Sequence, residues 1–181
     1  PLVMDYTTAM KKALYQSLIL NSPCGMLIER ALLGDNIRFR EGIRYEDLDA
    51  FYRFYENATT IAYLPVVLYF YRQESGSFMH QWSHSRIDAL DVTDNMVKYM
   101  SEYHPKLTKA SLDRRFSAHF NMLLLILKNN IDDSHTIERC LGIIKAERAN
   151  ELCDPNVRLK NKLGAFVSYG GLPLIKFLSR F

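Results

Sequence analysis

Apolar side chains between residues 45 and 57 recur at the spacing of one face of a helix. They stand at i, i+3, i+4 and i+7: Leu48, Phe51, Tyr52 and Tyr55. Gly42 precedes this segment as a turn signal, so the helix is predicted to begin near Tyr45. Glu46 and Asp47 then fall in its first turn, where the helix macrodipole favours negative charge. A carboxylate in that position suits either a catalytic base or a structural dipole partner.

The remainder of the first half mixes helical and strand patterns. One helix is predicted over residues 5 to 20, with Asp5 or Thr7 as its cap and an end at Pro23, and a single helical turn over residues 29 to 33. Three runs predict short strands: residues 37 to 39, 59 to 63 and 66 to 72. Pro65 marks either a break between the last two or a sheet edge.

From Trp82 onward no strand pattern recurs, and the spacing predicts helices alone. The predicted helices cover residues 85 to 103, 107 to 130, 134 to 150, a segment beginning near 155, and 172 to 181. The apolar run from 122 to 127 is continuous around its helix, which predicts the centre of a bundle. The expected fold is therefore α+β and predominantly helical, with an α/β unit over residues 1 to 80 and a helical extension over residues 81 to 181.

Composition narrows the classes of function. The chain has 181 residues, 48% of them hydrophobic, and a net charge of +3 with both signs interspersed. Basic residues form no stripe or block, so a nucleic-acid partner is not expected. The longest apolar run, residues 61 to 71, is too short for a membrane span. Three widely separated cysteines form no zinc spacing, and a reducing, cytoplasmic setting fits them best.

A second group of candidate residues follows the last predicted strand. Arg72 stands before Gly76 and Ser77, and an arginine beside such backbone donors suits a phosphate, although an ion-paired loop explains the pattern equally well. His80 is a weaker candidate for the same site. His80 and His84 share one face if they lie in a helix, but they lack a third metal ligand, so two surface histidines are expected.

The C-terminal segment is amphipathic and basic. Its apolar residues are Phe166, Tyr169, Leu172, Leu174, Ile175, Phe177, Leu178 and Phe181. Lys176 and Arg180 accompany them. Such a segment suits peripheral contact with a membrane surface. The alternatives are packing on its own domain, or on a part of the protein outside this sequence.

Three blocks together carry a resemblance to a known family. They are SPCGMLIERALL (22 to 33), IRFREGIRYEDLDAFYRFY (37 to 55) and IAYLPVVLYFYRQESGSFMH (61 to 80). Their order and spacing resemble the C-terminal half of bacterial family 2 glycosyltransferases, which are inverting enzymes of the GT-A fold. The resemblance covers roughly residues 20 to 90.

The resemblance implies roles for the candidate residues. Asp47, with Glu46 beside it, corresponds to the catalytic base that deprotonates an acceptor hydroxyl. Arg72, Gly76 and Ser77 correspond to the block near the donor diphosphate. The implied partners are a nucleotide-sugar donor and a glycan or lipid-linked acceptor, in cell-surface polysaccharide or glycolipid synthesis. The implied location is the cytoplasm, at or near the inner face of the membrane.

Two departures from the family pattern limit what is expected of this chain. Met26 stands where many relatives carry a lysine. The N-terminal half, with its nucleotide-binding units and the Asp-x-Asp motif for Mn²⁺ or Mg²⁺, is not in this sequence. Asp47-Leu48-Asp49 has the same spacing, but it opens a helix and belongs to the Glu-Asp block. The chain is therefore expected to be an inactive fragment. The rival hypothesis is a helical interaction module without chemistry.

Overall fold

The structure is a computed structural model that describes residues 1–35, 37–72 and 82–180. Within these residues the fold is α+β and mostly helical, as predicted. The helices are α1 (Tyr6–Leu14), α2 (Arg30–Leu33), α3 (Glu46–Glu56), α4 (Asp88–Tyr103), α5 (Thr108–Lys128), α6 (Ser134–Cys153), α7 (Leu159–Ser168) and α8 (Gly171–Leu178). Short 3₁₀ turns over His84–Ile87 and Pro105–Leu107 precede α4 and α5.

A two-stranded antiparallel sheet is the β-structure of the described residues. β1 (Leu2–Met4) pairs with β2 (Ile61–Tyr63), with Val3 opposite Ala62. β2 lies within the predicted strand at 59 to 63, whereas β1 was not foreseen. A GT-A-like sheet is not shown, and that part of the fold prediction stays a prediction.

Two predicted strands are absent from their positions. Residues 37 to 39 have no regular secondary structure, because the Arg38 guanidinium binds the carbonyl oxygens of Gly34 and Ile37, and Phe39 packs edge-to-face on Phe54. Residues 66 to 72 also have none and are exposed. A strand pattern needs a neighbouring strand to pair with, and the described residues supply none here.

The helix predictions hold better, and their caps explain where they begin. Asp5 accepts the backbone N–H of Thr8 at 2.7 Å and starts α1 as predicted. α1 nevertheless ends at Leu14 rather than at residue 20, because Gln16 takes a left-handed conformation with φ of 51°. Tyr15 is held by a hydrogen bond from its hydroxyl to Asp154 at 2.5 Å.

α5 is the centre of the helical part, which confirms the prediction from its apolar run. It packs against α1, α4, α6, α7 and α8. Leu123 and Ile126 are fully buried, whereas Leu125 is half-buried. α5 therefore has one face towards α6 and α4 and a second face partly open to solvent.

Two apolar cores meet along α4. Phe51 and Met10 belong to the core of the first half, which Met96 and Met100 of α4 complete. Leu90, at the start of α4, belongs to the core among α5, α6, α7 and α8. The core of the first half thus extends beyond residue 80 of the sequence, and the predicted domain division there stays a prediction.

Candidate functional site

Asp47 lies in the first turn of α3, as the sequence predicted. Its Oδ1 accepts the backbone N–H of Leu48 at 2.7 Å, and its side chain is half-buried, whereas Glu46 is exposed. Tyr45, directly before the helix, has φ of 61° and ψ of 33°. A bulky residue in this left-handed region is a strained backbone conformation, and such strain concentrates at functional sites.

The surroundings of Asp47 raise the pKa of its carboxyl. Burial raises the pKa of this carboxyl above its ordinary value, and the negative charge of Glu46 adds to the rise. The Leu48 amide and the Arg114 guanidinium act in the opposite direction. The net effect is a raised pKa, which makes Asp47 a better proton acceptor than an exposed aspartate.

The charge of Asp47 also acts on the Cys24 thiol. The hydroxyl of Ser22 and then the phenol of Tyr69 hydrogen-bond the Cys24 thiol and lower its pKa, while the negative charge of Asp47 opposes this shift. The backbone N–H of Cys24 also donates to Ser22 Oγ at 3.3 Å. Residues from all three sequence blocks that carry the resemblance therefore affect the pKa of Cys24.

Arg114 of α5 is a cation whose charge acts on the Asp47 carboxyl. With the Asn21 amide oriented to satisfy both neighbours, its oxygen accepts from Arg114 Nε at 3.1 Å and its nitrogen donates to the Ala13 carbonyl at 2.7 Å. Burial, followed by the charge of Arg158, lowers the pKa of Arg114 to about 10, so it remains a cation at neutral pH. Sequence reasoning missed Arg114, because nothing in its helix sets it apart from Arg115 beside it.

Asp49, two residues after Asp47, has a structural role. It is buried and forms ion pairs with Arg53 at 3.2 Å and Arg40 at 3.9 Å. Arg53 is one helical turn further along α3. Asp49 therefore links α3 to Arg40 through these ion pairs. Of Glu46, Asp47 and Asp49, only Asp47 is both half-buried and free of an ion pair within α3.

The predicted phosphate site is described only in part. Arg72 is exposed at the end of its segment, and Gly76, Ser77 and His80 lie outside the described residues. His84 is exposed in the 3₁₀ turn before α4. Within the described residues no group of three or more His, Cys, Asp or Glu side chains is placed to hold a metal ion.

Asp47 does not line the groove that the structure shows beside α3. A groove of about 650 Å³ lies between α2 and α3, where Leu33, Phe39 and Phe54 are among its lining residues. The carboxylate of Asp47 is not part of this lining. Its opening into a substrate cleft stays a prediction.

Comparison of the chain with protein-family models, with curated proteins and with solved structures finds no match. Of the helices described, none has both the length and the apolar composition that crossing a bilayer requires. The class of the protein therefore rests on the residues and their geometry.

Proposed function

We propose that this chain is the acceptor-side part of a glycosyltransferase that uses a nucleotide-sugar donor. The observation that carries the proposal is the half-buried Asp47 carboxylate at the strained start of α3, whose pKa is raised by burial. The resemblance of three sequence blocks supports it as well.

Asp47 would act as the general base of an inverting displacement. Its carboxylate takes the proton of the acceptor hydroxyl while that oxygen bonds to the anomeric carbon, and the bond from this carbon to the diphosphate breaks with its electron pair leaving on the phosphate. A raised pKa helps because it increases the driving force for accepting the proton. Glu46, next to it, is exposed.

Arg114 would act on Asp47 and not on the substrate. Its guanidinium attracts the carboxylate and is itself held by Asn21, so it limits the pKa rise that burial causes. Without this cation the pKa of Asp47 would be raised further. Arg114 is therefore a positioning residue.

The donor side of the reaction falls mostly outside the described residues. Arg72, Gly76, Ser77 and His80 are the residues proposed to contact the diphosphate. Among the described residues, no group of three or more His, Cys, Asp or Glu side chains is placed to hold Mn²⁺ or Mg²⁺. The proposed location is the cytoplasm, close to the inner face of a membrane.

The test is release of nucleoside diphosphate by the protein encoded by the complete gene. A panel of nucleotide sugars is incubated with the protein and candidate glycan or lipid-linked acceptors, with and without Mn²⁺. Acceptor-dependent release from at least one donor is expected, and it should be lost in Asp47→Asn. Asp35→Asn is the matched control, because the Asp35 side chain is fully exposed. No release from any donor would contradict the proposal.

One observation favours the alternative of a non-catalytic interaction module. Residues 66 to 71 form a continuous apolar segment whose side chains are all more than half exposed. A partner strand or a partner protein would cover such a segment. An interaction module predicts a stable partner and no acceptor-dependent release of nucleotide.

A further inference from the structure

The outward face of α7 is apolar, whereas its inward face is made of small and polar residues. The buried residues are Asn161, Gly164, Ala165 and Ser168. The exposed fractions of the large apolar ones are 72% for Leu159, 55% for Leu163, 69% for Phe166 and 55% for Tyr169. This is the reverse of the usual arrangement for a helix on a protein surface, which turns its large apolar side chains inward.

The orientation of α7 is fixed by contacts on its inner face. Asn161 donates to the buried Asp113 carboxylate at 2.6 Å, and the Ser168 carbonyl accepts from Arg148 at 3.0 Å. A Cβ on Gly164 would lie 2.9 Å from the Phe120 ring, so no larger residue fits there without movement. Rotating α7 to bury its leucines would break these contacts. The apolar face is therefore held outward.

α8 continues the pattern after a short turn. Leu174, Phe177 and Leu178 are 41%, 54% and 40% exposed, while Ile175 is fully buried against α5 and its neighbours. The spacing of the three exposed residues, i, i+3 and i+4, places them on one face of α8. Two helices that contact each other thus both expose apolar side chains.

The charge of this segment is one-sided. Residues 155 to 181 contain no Asp or Glu and five basic residues, namely Arg158, Lys160, Lys162, Lys176 and Arg180. All twenty acidic residues of the chain lie before Pro155, together with eighteen of the twenty-three lysines and arginines. The apolar face therefore stands on the basic end of an otherwise slightly acidic chain.

We propose that α7 and α8 lie on the surface of a bilayer rich in anionic phospholipids. Apolar side chains that enter the acyl boundary and basic residues at the headgroups are the features of a helix lying in a membrane interface. A second copy of the chain fits this face poorly, since it would bring the exposed lysines and Arg180 of two copies together. The inference does not depend on the proposed catalytic role of Asp47.

The test is co-flotation of the 181-residue chain with vesicles. Phosphatidylcholine vesicles are compared with vesicles in which a third of the lipid is phosphatidylglycerol, at low and high salt. Binding is expected for the anionic vesicles and is expected to weaken with salt, because screening reduces the attraction of the basic residues. No binding to anionic vesicles at low salt would overturn the proposal.

Two sets of variants separate the apolar and electrostatic contributions. The double variant Leu163→Ser/Phe166→Ser should lower the partition coefficient at least about tenfold, since it removes two large apolar side chains that enter the interface. Lys160→Glu/Lys162→Glu should lower it by about fivefold or more for each lysine replaced. Leu27→Ser is the matched control, because Leu27 is fully exposed elsewhere on the chain and should leave binding unchanged.

A gain-of-signal variant tests the position of α7 directly. Phe166→Trp keeps the apolar character and should bind as well as wild type, with an emission shift to the blue and quenching by brominated acyl chains. Circular dichroism establishes that each variant is folded. Equal loss of binding in Leu27→Ser would contradict membrane binding by α7 and favour non-specific adsorption. A concentration-dependent dimer that Leu163→Ser/Phe166→Ser abolishes would also contradict it and favour a self-associating surface.

Discussion

A pair of acids buried between α5 and α6 should make the stability of the chain depend on pH. Glu151 and Asp113 are 2% and 0% exposed, and each has one carboxylate oxygen without a hydrogen-bond donor. Asn161 donates to the other oxygen of Asp113 at 2.6 Å. One proton held between the two carboxyl groups would give both remaining oxygens a partner. The fold therefore favours the protonated form of Glu151.

The pKa shifts have a definite sign. Burial, then the hydrogen bond with Asp113 and its charge, raises the pKa of Glu151 to about 9. Burial also raises the pKa of Glu147, one turn earlier on α6, to about 7, against the lowering effect of Arg115. A raised folded pKa means that the native state binds more protons than the unfolded state. This contribution is complete below a pH of about 4.5 and is lost as pH rises through 7 and 9.

The size of the effect follows from the same shifts. Each pH unit between the unfolded and folded pKa values removes up to about 1.4 kcal/mol of stability for each site. Between pH 5 and 8, Glu151 alone would lose up to about 4 kcal/mol by this reckoning. Relaxation and water entry around the ionised carboxylates reduce this value, and we expect about 2 kcal/mol.

Glu151→Gln isolates this contribution. The amide keeps a donor for Asp113 but does not titrate, so the loss of stability between pH 5 and 8 should shrink by about 2 kcal/mol relative to wild type. Urea unfolding followed by circular dichroism at several pH values measures it. Glu138→Gln, an exposed change on the same helix, should leave the wild-type profile unaltered. An identical pH profile for Glu151→Gln and wild type would refute the shared proton.

Three further predictions concern the helices and are measured by denaturant unfolding. Leu123→Ala should destabilise the chain by about 3 to 5 kcal/mol, because Leu123 is fully buried. Leu125→Ala should cost less than half of that free energy, because Leu125 is half-buried. Equal destabilisation by the two variants would contradict the packing of α5. Asp133→Ala should remove about 1 kcal/mol, since Asp133 caps α6 by accepting the Thr136 N–H at 3.0 Å. Gln16→Gly should stabilise by about 0.5 to 1 kcal/mol, because only glycine adopts a φ of 51° without strain.

The sequence predicts the elements whose causes are local. The helical spacing of Leu48, Phe51 and Tyr52 predicts α3, and all three side chains are buried. Asp5 is recognisable as a cap from the sequence, because a capping carboxylate acts only on residues two or three positions away. Asp133 caps α6 in the same local way. These interactions need no knowledge of the remainder of the fold.

Features that depend on distant residues could not be predicted in this way. The strand pattern at residues 66 to 72 describes a preference, but a strand forms only beside a partner, and the described residues supply none. Arg114 contributes to the candidate site through Asn21 and Asp47, which lie more than sixty positions earlier in the chain. No local signal distinguishes it from the other arginines of α5.

The apolar C-terminal segment lies between these cases. Its residues predict an amphipathic helix, but the sequence leaves open whether that face turns inward or outward. The inner face of α7 decides this question, because Gly164 packs closely against Phe120 of α5. This fit can be recognised only once the position of the neighbouring helix is known. In α8, Ile175 is fully buried, whereas Leu174 and Leu178 remain exposed.

The most direct test of the proposed catalytic role is the effect of Asp47→Asn on kcat and on the donor KM in the protein encoded by the complete gene. Asparagine keeps the shape of the side chain and an oxygen that accepts the Leu48 N–H, but it cannot take a proton from the acceptor hydroxyl. The proposal predicts a fall in kcat of at least about a hundredfold with the donor KM nearly unchanged. Asp35→Asn should behave as wild type. Near-normal turnover in Asp47→Asn, or a raised KM with unchanged kcat, would contradict a general-base role for Asp47.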